Sequence, residues 1–356
     1  MSSSALQPPA GDPTRIFEIF RGSYGSELLT AATAHFNVFG MLAREPLTLA
    51  QLCERLKLAA RPAIVLTTAL AAMNLMAKNE DGRFVLTPLA AAHLVPGADF
   101  DVSDYVGLAA SFPGVLEMVE RLKSNKPAGL DESDQGTAFI YRQGVRSAME
   151  TRELARHFTL ALAGRAKNVA PVLAEHPVLA EHVTLRGPAT LLDVGGGTGI
   201  YSVALLQKHE QLRAILLDRP EVLKLAAEFA REYGVEDRLD CREGDMFVDK
   251  LPDADHVLLS NILHDWDVSE CRTLVARCAA CLPADGTLLI HDVFLNDELD
   301  GPLPIALYSA ALFTFTEGRA YSEAEYRGWL EEAGLTVIGR FDTLIHCGVL
   351  IGKKCA

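Results

Sequence analysis

Nine residues near the middle of the chain constrain its fold most: residues 191–199 read Leu-Leu-Asp-Val-Gly-Gly-Gly-Thr-Gly. The apolar run that starts at Thr190 predicts a short buried strand, and residues 200–207 have the composition of a helix. A glycine turn between them lets the backbone approach a ligand closely, and the free N–H groups of a helix start favour an anionic group. The stretch therefore predicts a nucleotide-type cradle in an α/β fold.

The spacing of the glycines narrows the kind of cradle. The order is Gly195-x-Gly197-x-Gly199, and Ile200 stands where the dinucleotide fingerprint G-x-G-x-x-G has its third glycine. A second predicted strand ends at Asp218, about 20 residues beyond the glycines, where a carboxylate accepts hydrogen bonds from both hydroxyls of a ribose. This pattern favours a nucleoside ligand.

The third predicted strand, over residues 239–244, leads into Asp245, Met246 and Phe247. A carboxylate at this place accepts a hydrogen bond from an adenine amino group, while Met and Phe side chains cover the faces of the ring. Nothing in this stretch replaces the phosphate-binding lysine of a P-loop. The residues therefore fit a nucleoside without phosphates better than a dinucleotide.

Strand and helix patterns alternate after residue 190, which predicts a parallel sheet with helices on both faces. Five parallel strands are expected near residues 190–194, 213–218, 239–244, 255–262 and 287–293. Two more, near residues 336–341 and 347–352, are joined by a short connection and should be antiparallel. Ligands bind at the carboxyl ends of such strands, where the chain places Asp218, Asp245, Ser260, His264 and Asp292.

Residues 190–340 resemble the catalytic domain of the S-adenosylmethionine-dependent small-molecule O-methyltransferases, which include plant caffeate-type and bacterial polyketide enzymes. The matching pieces are residues 193–199, Asp218, residues 244–247, the His-Asp-Trp tripeptide 264–266 and residues 329–334. The tripeptide at the end of the fourth strand is the most specific of these. The resemblance implies a Rossmann-like methyltransferase domain whose seven-stranded sheet ends in an antiparallel hairpin. It also implies S-adenosyl-L-methionine as cofactor and a small aromatic hydroxyl compound of secondary metabolism as acceptor.

His264 is the candidate general base, because a phenol with a pKa of about 10 needs a proton acceptor at neutral pH and imidazole titrates near 6.5. Asp292 stands where the plant-type enzymes carry a glutamate beside this histidine, so the resemblance implies that it orients the ring. His291 should point to the opposite face of its strand.

Two positions depart from the plant-type pattern. Ala320 stands where those enzymes carry a second glutamate, and Glu317 is a possible substitute. Ser260 replaces a lysine, as in bacterial relatives, and should contact the cofactor through its hydroxyl. With it, the predicted cofactor-binding residues are Gly195, Gly197, Asp218, Asp245, Met246, Phe247 and Ser260, and no metal site is predicted.

The N-terminal third reads as a winged helix. Thr48 caps a helix over residues 49–57, Arg61 and Pro62 open another that runs to Met76, and residues 79–87 form a turn and a strand. The second helix carries no Lys or Arg after Arg61, so it lacks the donors that DNA reading needs. The resemblance instead implies a module that pairs two chains into a homodimer and closes over the partner's active site.

These readings divide the chain into a disordered tail (1–14), the winged-helix dimerisation domain (15–100), a helical linker that walls the pocket (101–180) and the catalytic domain (181–356). By resemblance, the linker contributes Tyr141, Phe158 and Leu162 to the acceptor pocket. Aromatic residues after the fifth strand, among them Tyr308 and Phe313, favour a moderately large aromatic acceptor.

Composition excludes several other classes. The net charge of −14 and a pI near 5.2 argue against nucleic acid or an anionic membrane as partner. The N-terminus lacks a signal-peptide pattern, and the most apolar window, residues 62–76, is too short to span a bilayer, so we expect a cytoplasmic protein. Cys278 and Cys281 lie in a helical pattern without a second pair, which favours helix packing over a redox or metal role.

Two rival functions remain at this stage. A nicotinamide-dependent dehydrogenase would use a similar sheet, but the missing third glycine and the terminal hairpin count against it. A non-catalytic dimer that binds S-adenosylmethionine is disfavoured by His264 and Asp292, while Ala320 leaves it open. Methylation of DNA bases is excluded because the Asn/Asp-Pro-Pro-aromatic segment is absent after the fourth strand.

Overall fold

A computed structural model describes residues 5–127, 140, 152–183 and 188–355. The N-terminal part is helical, with one small hairpin. Its helices are α1 (Thr14–Arg21), α2 (Ser23–Thr30), α3 (Val38–Leu42), α4 (Leu49–Leu56), α5 (Ala60–Ala72), α6 (Pro88–His93), α7 (Ser103–Gly107) and α8 (Pro113–Ser124). A five-residue π-helix, Ala31–His35, follows α2, and the strands β1 (Met76–Lys78) and β2 (Phe84–Leu86) pair antiparallel.

The predicted helix, helix and hairpin are all present. The Thr48 hydroxyl accepts from the Gln51 amide, and the Gln51 side chain accepts from the Thr48 amide, so a capping box starts α4. Helix α5 is buried along most of its length, including Arg61 at its start. Its place inside the protein agrees with the absence of basic residues after Arg61.

The predicted disordered tail needs correction within the described residues. The Leu6 amide donates to the Gln207 side chain at 2.9 Å, and the Leu6 side chain packs against the core of the C-terminal domain. Residues 5–13 have no regular secondary structure, yet they are docked at Leu6. An apolar side chain with a partner surface explains the attachment.

Two helices lead from the N-terminal part to the sheet: α9 (Arg152–Glu175) and α10 (Pro177–His182). The C-terminal domain contains β3 (Ala189–Val194), β4 (Leu212–Asp218), β5 (Leu239–Glu243), β6 (His256–Ser260), β7 (Thr287–Leu295), β8 (Tyr321–Ser322), β9 (Leu335–Asp342) and β10 (Cys347–Lys354). Its helices are α11 (Ile200–Lys208), α12 (Pro220–Glu232), α13 (Val268–Ala280), α14 (Leu303–Phe315) and α15 (Glu323–Glu332), with a 3₁₀ turn at Leu263–Asp265.

The seven long strands lie in the order β5-β4-β3-β6-β7-β10-β9. The first five in this order are parallel, and β10 pairs antiparallel with both β7 and β9, as the sequence predicts. The two-residue strand β8 adds to the end of β7 and was not predicted. Chain order reverses between β3 and β6, and this switch point opens a crevice at the carboxyl ends of the strands.

Helices cover both faces of the sheet. One apolar core lies between the sheet and the helices α9, α11 and α12, and the other lies between the sheet and α13 and α15. Within the described part of the chain, no helix combines the length and apolar character that a membrane span needs.

The N-terminal part joins the catalytic domain through α14, whose residues Ala310 and Phe313 belong to the N-terminal core. Arg61 reinforces this junction, because its guanidinium donates to the carbonyl oxygens of Thr316 and Gly318, each at 3.0 Å. The loop after α14 is therefore held by a residue of the winged helix.

Candidate active site

The glycine turn connects β3 to α11. Gly195, Gly197 and Gly199 have φ values of 68°, 59° and 69°, which side chains rarely tolerate. A Cβ at Gly195 would lie 2.6 Å from the end of the Ile262 side chain, whereas a Cβ at Gly197 would meet no atom within 4 Å. The turn thus packs against the β6 loop at one glycine and leaves the space beside another open.

Carboxylates hold this turn from two sides. Asp218, at the end of β4, accepts from the Gly197 amide at 2.8 Å and from the Arg219 amide at 2.7 Å. Asp193 is fully buried beneath the turn, and the Ser202 hydroxyl donates to its Oδ2 at 2.6 Å. Burial raises the pKa of Asp193 to about 7. Its Oδ1 has no hydrogen-bond partner among the described residues.

The loop after β5 reaches the same place. The Phe247 amide donates to the Asp245 carboxylate at 2.8 Å, which forms a tight local turn. The Phe247 ring packs edge-on against Trp266 at 4.8 Å, and the Met246 sulfur lies beside Gly195. The predicted cofactor residues that follow three strands therefore lie on neighbouring loops at the carboxyl edge of the sheet, where the space beside Gly197 is open.

His264 lies in the 3₁₀ turn after β6, and Asp292 lies inside β7. The Nδ1 of His264 donates to the Oδ1 of Asp292 at 2.5 Å, and the Val293 amide donates to the same oxygen at 2.8 Å. Both side chains are buried, 4% and 1% exposed. The structure brings together the two residues that the sequence predicts as base and orienting acid.

Charge decides the protonation of this pair. Burial alone would lower the pKa of His264, but the negative charges of Asp292 and Asp265 outweigh it and raise that pKa above its ordinary value. Burial opposes ionisation of Asp292 as well, yet its interaction with His264 lowers the pKa of the carboxyl. The arrangement holds Asp292 ionised and makes the imidazole a stronger base.

A second acid beside the imidazole was not predicted. The Oδ1 of Asp265 lies 3.6 Å from Nε2 of His264, and burial raises the pKa of Asp265 to about 6. Glu317 is the suggested substitute for the missing glutamate. Its negative charge lies near Arg61 and partly offsets the lowering of the Arg61 pKa by burial. Ala320 is fully buried, and its amide donates to the Ser309 hydroxyl at 3.1 Å. The signal for Asp265 stood in the His-Asp-Trp tripeptide itself.

Tyr326 of α15 lies behind Asp292. Its hydroxyl and the Oδ2 of Asp292 are buried, and neither has a hydrogen-bond partner in the described structure. The hydroxyl is close enough to lower the pKa of Asp292, although the geometry falls short of a hydrogen bond. Tyr326 is therefore a further group on the side of the carboxylate away from His264.

Ser260 and His291 occupy the neighbouring ends of β6 and β7. The Ser260 hydroxyl and Nδ1 of His291 share a hydrogen bond of 2.8 Å, and Nε2 of His291 lies 3.3 Å from the Thr343 hydroxyl. Burial, with the nearby charge of Arg165, lowers the pKa of His291 to about 3. His291 thus points away from the pair formed by His264 and Asp292, as predicted. The hydroxyl of Ser260 is hydrogen-bonded to His291.

Two arginines at the site escaped sequence reasoning. Arg165 of α9 donates to the Asn261 side chain at 2.8 Å and to the Cys347 sulfur at 2.9 Å, while its buried Nε has no partner among the described groups. The guanidinium of Arg21, at the end of α1, lies 3.6 Å from the ring centroid of Tyr308. Tyr308 in turn meets the His264 ring edge-on, with centroids 5.7 Å apart.

The predicted pocket residues have different fates. Tyr308 lies edge-on against the His264 ring. Phe158 is half-buried on α9, Leu162 is 49% exposed, and Tyr141 lies outside the described residues. Phe313 needs correction: it is fully buried in the N-terminal core, with the Arg61 guanidinium 4.6 Å from its ring centroid. Its ring packs where α14 joins the N-terminal part.

Comparison with known proteins shows which family this chain resembles. A model of the O-methyltransferase domain matches residues 129–336. The chain is 33% identical to a Streptomyces sahachiroi protein named 3-hydroxy-5-methyl-1-naphthoate 3-O-methyltransferase, with 99% of each chain covered. It is 29% identical to the tetracenomycin polyketide synthesis 8-O-methyl transferase of Streptomyces glaucescens, with 91% of each covered.

A solved structure agrees over the whole length. An O-methyltransferase family 2 protein from Planctomyces limnophilus, in complex with apigenin, is 46% identical, has a TM-score of 0.87, and is matched over 99% of this chain and 100% of its own. The glycine turn, the carboxylates at the strand ends and the histidine–aspartate pair all lie inside the domain that the family shares. The chain therefore belongs to the S-adenosylmethionine-dependent O-methyltransferases.

Proposed function

We propose that this enzyme methylates a phenolic hydroxyl of a small aromatic compound of secondary metabolism and that His264 is its general base. One observation carries the proposal: a buried imidazole, bonded to Asp292 at 2.5 Å, lies at the same crevice as the glycine turn. A structural histidine needs no such position.

The contact between His264 and Asp292 supports one route for the proton. Asp292 accepts the Nδ1 proton, so the neutral ring presents the lone pair of Nε2. A phenol whose oxygen lies at Nε2 transfers its proton there as the new bond forms, which typically accelerates such reactions by about 10²–10⁴-fold. The resulting imidazolium lies between Asp292 and Asp265 and is stabilised by both charges.

The residues that would hold S-adenosyl-L-methionine are those predicted from the sequence. We propose that Asp218 binds the ribose, that Asp245, Met246 and Phe247 hold the adenine, and that the turn at Gly195 and Gly197 holds the remainder of the cofactor. The Ser260 hydroxyl shares a hydrogen bond with His291 and accepts one from Asn261, so a contact with the cofactor would be added to these bonds. The sulfonium supplies the methyl group and a good leaving group, so alignment carries much of the catalytic effect.

The aromatic acceptor is supported by both the relatives and the site. The Streptomyces sahachiroi relative is named for a hydroxynaphthoate, and the Planctomyces limnophilus structure holds apigenin. In this chain, the Tyr308 ring beside His264 offers an aromatic surface to such an acceptor. A cytoplasmic location stays a prediction of the sequence.

We further infer a homodimer built on the winged helix, with residues 15–100 as the dimerisation domain, 101–180 as the linker and 181–356 as the catalytic domain. The support is a set of large apolar side chains left exposed on the N-terminal part: Ile16, Ile19, Phe20, Leu89 and Phe100 within residues 15–100, and Val102, Tyr105, Leu108, Phe112 and Leu116 in the adjoining linker. Exposed apolar surface of this extent marks an interaction site.

The direct test is methyl transfer itself. Purified enzyme is incubated with S-adenosyl-L-methionine and a panel of phenols, and products are followed by mass spectrometry. We expect single methylation of at least one phenol by the wild type and a strong loss with His264→Ala. A wild type that binds the cofactor but methylates no phenol, with any acceptor size, would contradict the proposal.

A further inference from the structure

Helix α1 exposes apolar side chains and buries a charged one. Its outward face carries Ile16, Ile19 and Phe20, which are 69%, 66% and 76% exposed, whereas Arg21 is only 5% exposed. The exposed side chains are explained by the dimer proposed above. The buried guanidinium needs a different explanation, because buried charges are normally paired or fully hydrogen-bonded.

Arg21 has no such partner in the part of the chain that the structure describes. Its guanidinium lies over two rings, 3.6 Å from the centroid of Tyr308 and 5.5 Å from that of Phe17. The carboxylate one turn earlier, Glu18, is already engaged by Arg15 and His346, each at 3.0 Å. Burial lowers the pKa of Arg21, and the largest charge effects on it come from Tyr308, Arg165 and Cys347. An arginine nevertheless stays protonated in proteins.

The unpaired charge lies next to the reacting groups. Tyr308 contacts Arg21 with its ring face and meets the His264 ring edge-on at 5.7 Å. Arg165 lies 5.8 Å from the centroid of the same ring and also keeps a buried Nε without a partner in the described chain. Two guanidinium groups therefore flank the tyrosine that lines the acceptor side of the base.

We propose that Arg21, supported by Arg165, binds a carboxylate of the acceptor, so that the enzyme selects hydroxylated aromatic carboxylates. This inference rests on the proposed function and deepens it. A guanidinium offers a planar pair of donors that matches a carboxylate, and the desolvated surroundings strengthen the bond. An aromatic acid laid against Tyr308 then places its ring beside His264 with its anionic group at Arg21.

The test compares each positional isomer of hydroxynaphthoic acid with its own carboxamide. The two share shape and hydroxyl, and only the acid carries the charge. We expect the wild type to prefer at least one acid over its amide by about 10- to 100-fold in kcat/KM, the range of a charge-assisted hydrogen bond. In Arg21→Gln the acid should lose that advantage, so that the acid-to-amide ratio approaches one. Arg21→Lys should retain part of it.

Arg15→Gln is the matched control, because Arg15 lies on the same helix, its side chain is 79% exposed and it pairs with Glu18. Its acid-to-amide ratio should equal that of the wild type. Melting temperatures of all variants check that they fold. The inference is overturned if the wild type uses acids and amides equally, or if Arg21→Gln slows both alike.

Calorimetry with S-adenosylhomocysteine tests whether Arg21 instead binds the carboxylate at the amino-acid end of the cofactor. We expect Arg21→Gln to bind S-adenosylhomocysteine as the wild type does, and a large loss would assign Arg21 to the cofactor and overturn the inference. Absence of turnover with every acid and every amide would instead contradict the proposed function.

Discussion

At the scale of single residues, the buried hydrogen bond between His264 and Asp292 is the feature on which the proposed chemistry depends. His264 was found from the sequence through the His-Asp-Trp tripeptide after the fourth predicted strand, and Asp292 through the resemblance, which places an acid at that point of the fifth strand. Their neighbours Arg21 and Arg165 were not, because they lie on helices whose position depends on packing over large sequence separations. Asp265 escaped because neighbouring residues on a turn point in directions that the sequence alone does not fix.

Asp292→Asn tests the electrostatic part of this arrangement. General-base catalysis needs the neutral imidazole, so kcat/KM rises with pH through the pKa of His264. Asp292 raises that pKa, so removing its charge should move the acidic limb of the pH profile to lower pH. The plateau should fall by roughly 10-fold, less than the loss of the base itself, because the ring is disoriented but present. The measurement should use an acceptor whose hydroxyl has a pKa above about 9, because its ionisation then lies above the pH range in which His264 titrates. A limb that stays in place or moves to higher pH would contradict the assigned role of Asp292.

Asp218→Ala tests the cofactor site. The substitution removes the charged acceptor proposed for the ribose hydroxyls, so affinity for S-adenosyl-L-methionine should weaken by about 1–3 kcal/mol. Calorimetry measures this directly. Asp240→Asn, an exposed acid of β5 paired with Arg242, is the control and should bind as the wild type does. Equal affinities of Asp218→Ala and wild type would remove Asp218 from the site.

At the scale of elements, apolar periodicity was enough to place the seven long strands, their parallel and antiparallel order and the helix–helix–hairpin module. It could not separate a pocket residue from a core residue, since Tyr308 and Phe313 are both aromatic residues of α14 but lie on different faces of the helix, in different surroundings. It also missed β8, because two residues are too few for a pattern. The loop between α14 and β8 contains a glycine whose close backbone contact the sequence pattern did not indicate.

Gly318 in that loop touches the backbone of the catalytic tripeptide. A Cβ there would lie 2.1 Å from the His264 carbonyl oxygen and 2.6 Å from the Trp266 nitrogen, and both are backbone atoms that cannot move aside cheaply. Gly318→Ala should therefore displace His264, lower kcat by roughly 10²-fold and cost about 1–3 kcal/mol of stability. Gly328→Ala on α15 is the control, because a Cβ there meets nothing within 4 Å. Kinetics and melting temperatures of the pair decide, and a Gly318→Ala enzyme of normal kcat would show that the loop does not position His264.

At the scale of the whole molecule, the N-terminal part and the catalytic domain are joined through α14 and through Arg61, which binds the carbonyl oxygens of the loop that contains Gly318. The same N-terminal part exposes most of the large apolar side chains of the described surface. Helix α1 also places Arg21 against Tyr308 of its own chain, where the acceptor site is proposed. The domain thus supports both the site and, as proposed, the pairing of two chains.

Light scattering tests the proposed assembly. We expect a mass of twice the 38.6 kDa chain at micromolar concentration, with an interface of roughly 2,000 Å² or more, as obligate dimers have. Phe20→Glu, at a residue 76% exposed on α1, should shift the mass towards the monomer. Val248→Glu, equally exposed on the catalytic domain, should leave the mass unchanged. A wild type that runs as a monomer would sink the dimer proposal.

The central claim is that His264 removes the acceptor's proton, and the most direct measurement is rate against acceptor pKa for the wild type and His264→Ala. With ordinary phenols, the variant should lose about 10²–10⁴-fold in kcat while its affinity for the cofactor stays nearly intact. With phenols acidic enough to be ionised at the assay pH, no proton needs removal, so the loss should shrink and the two lines should converge. Parallel lines, with the variant equally impaired on acidic and ordinary phenols, would mean that His264 positions the acceptor and is not the base.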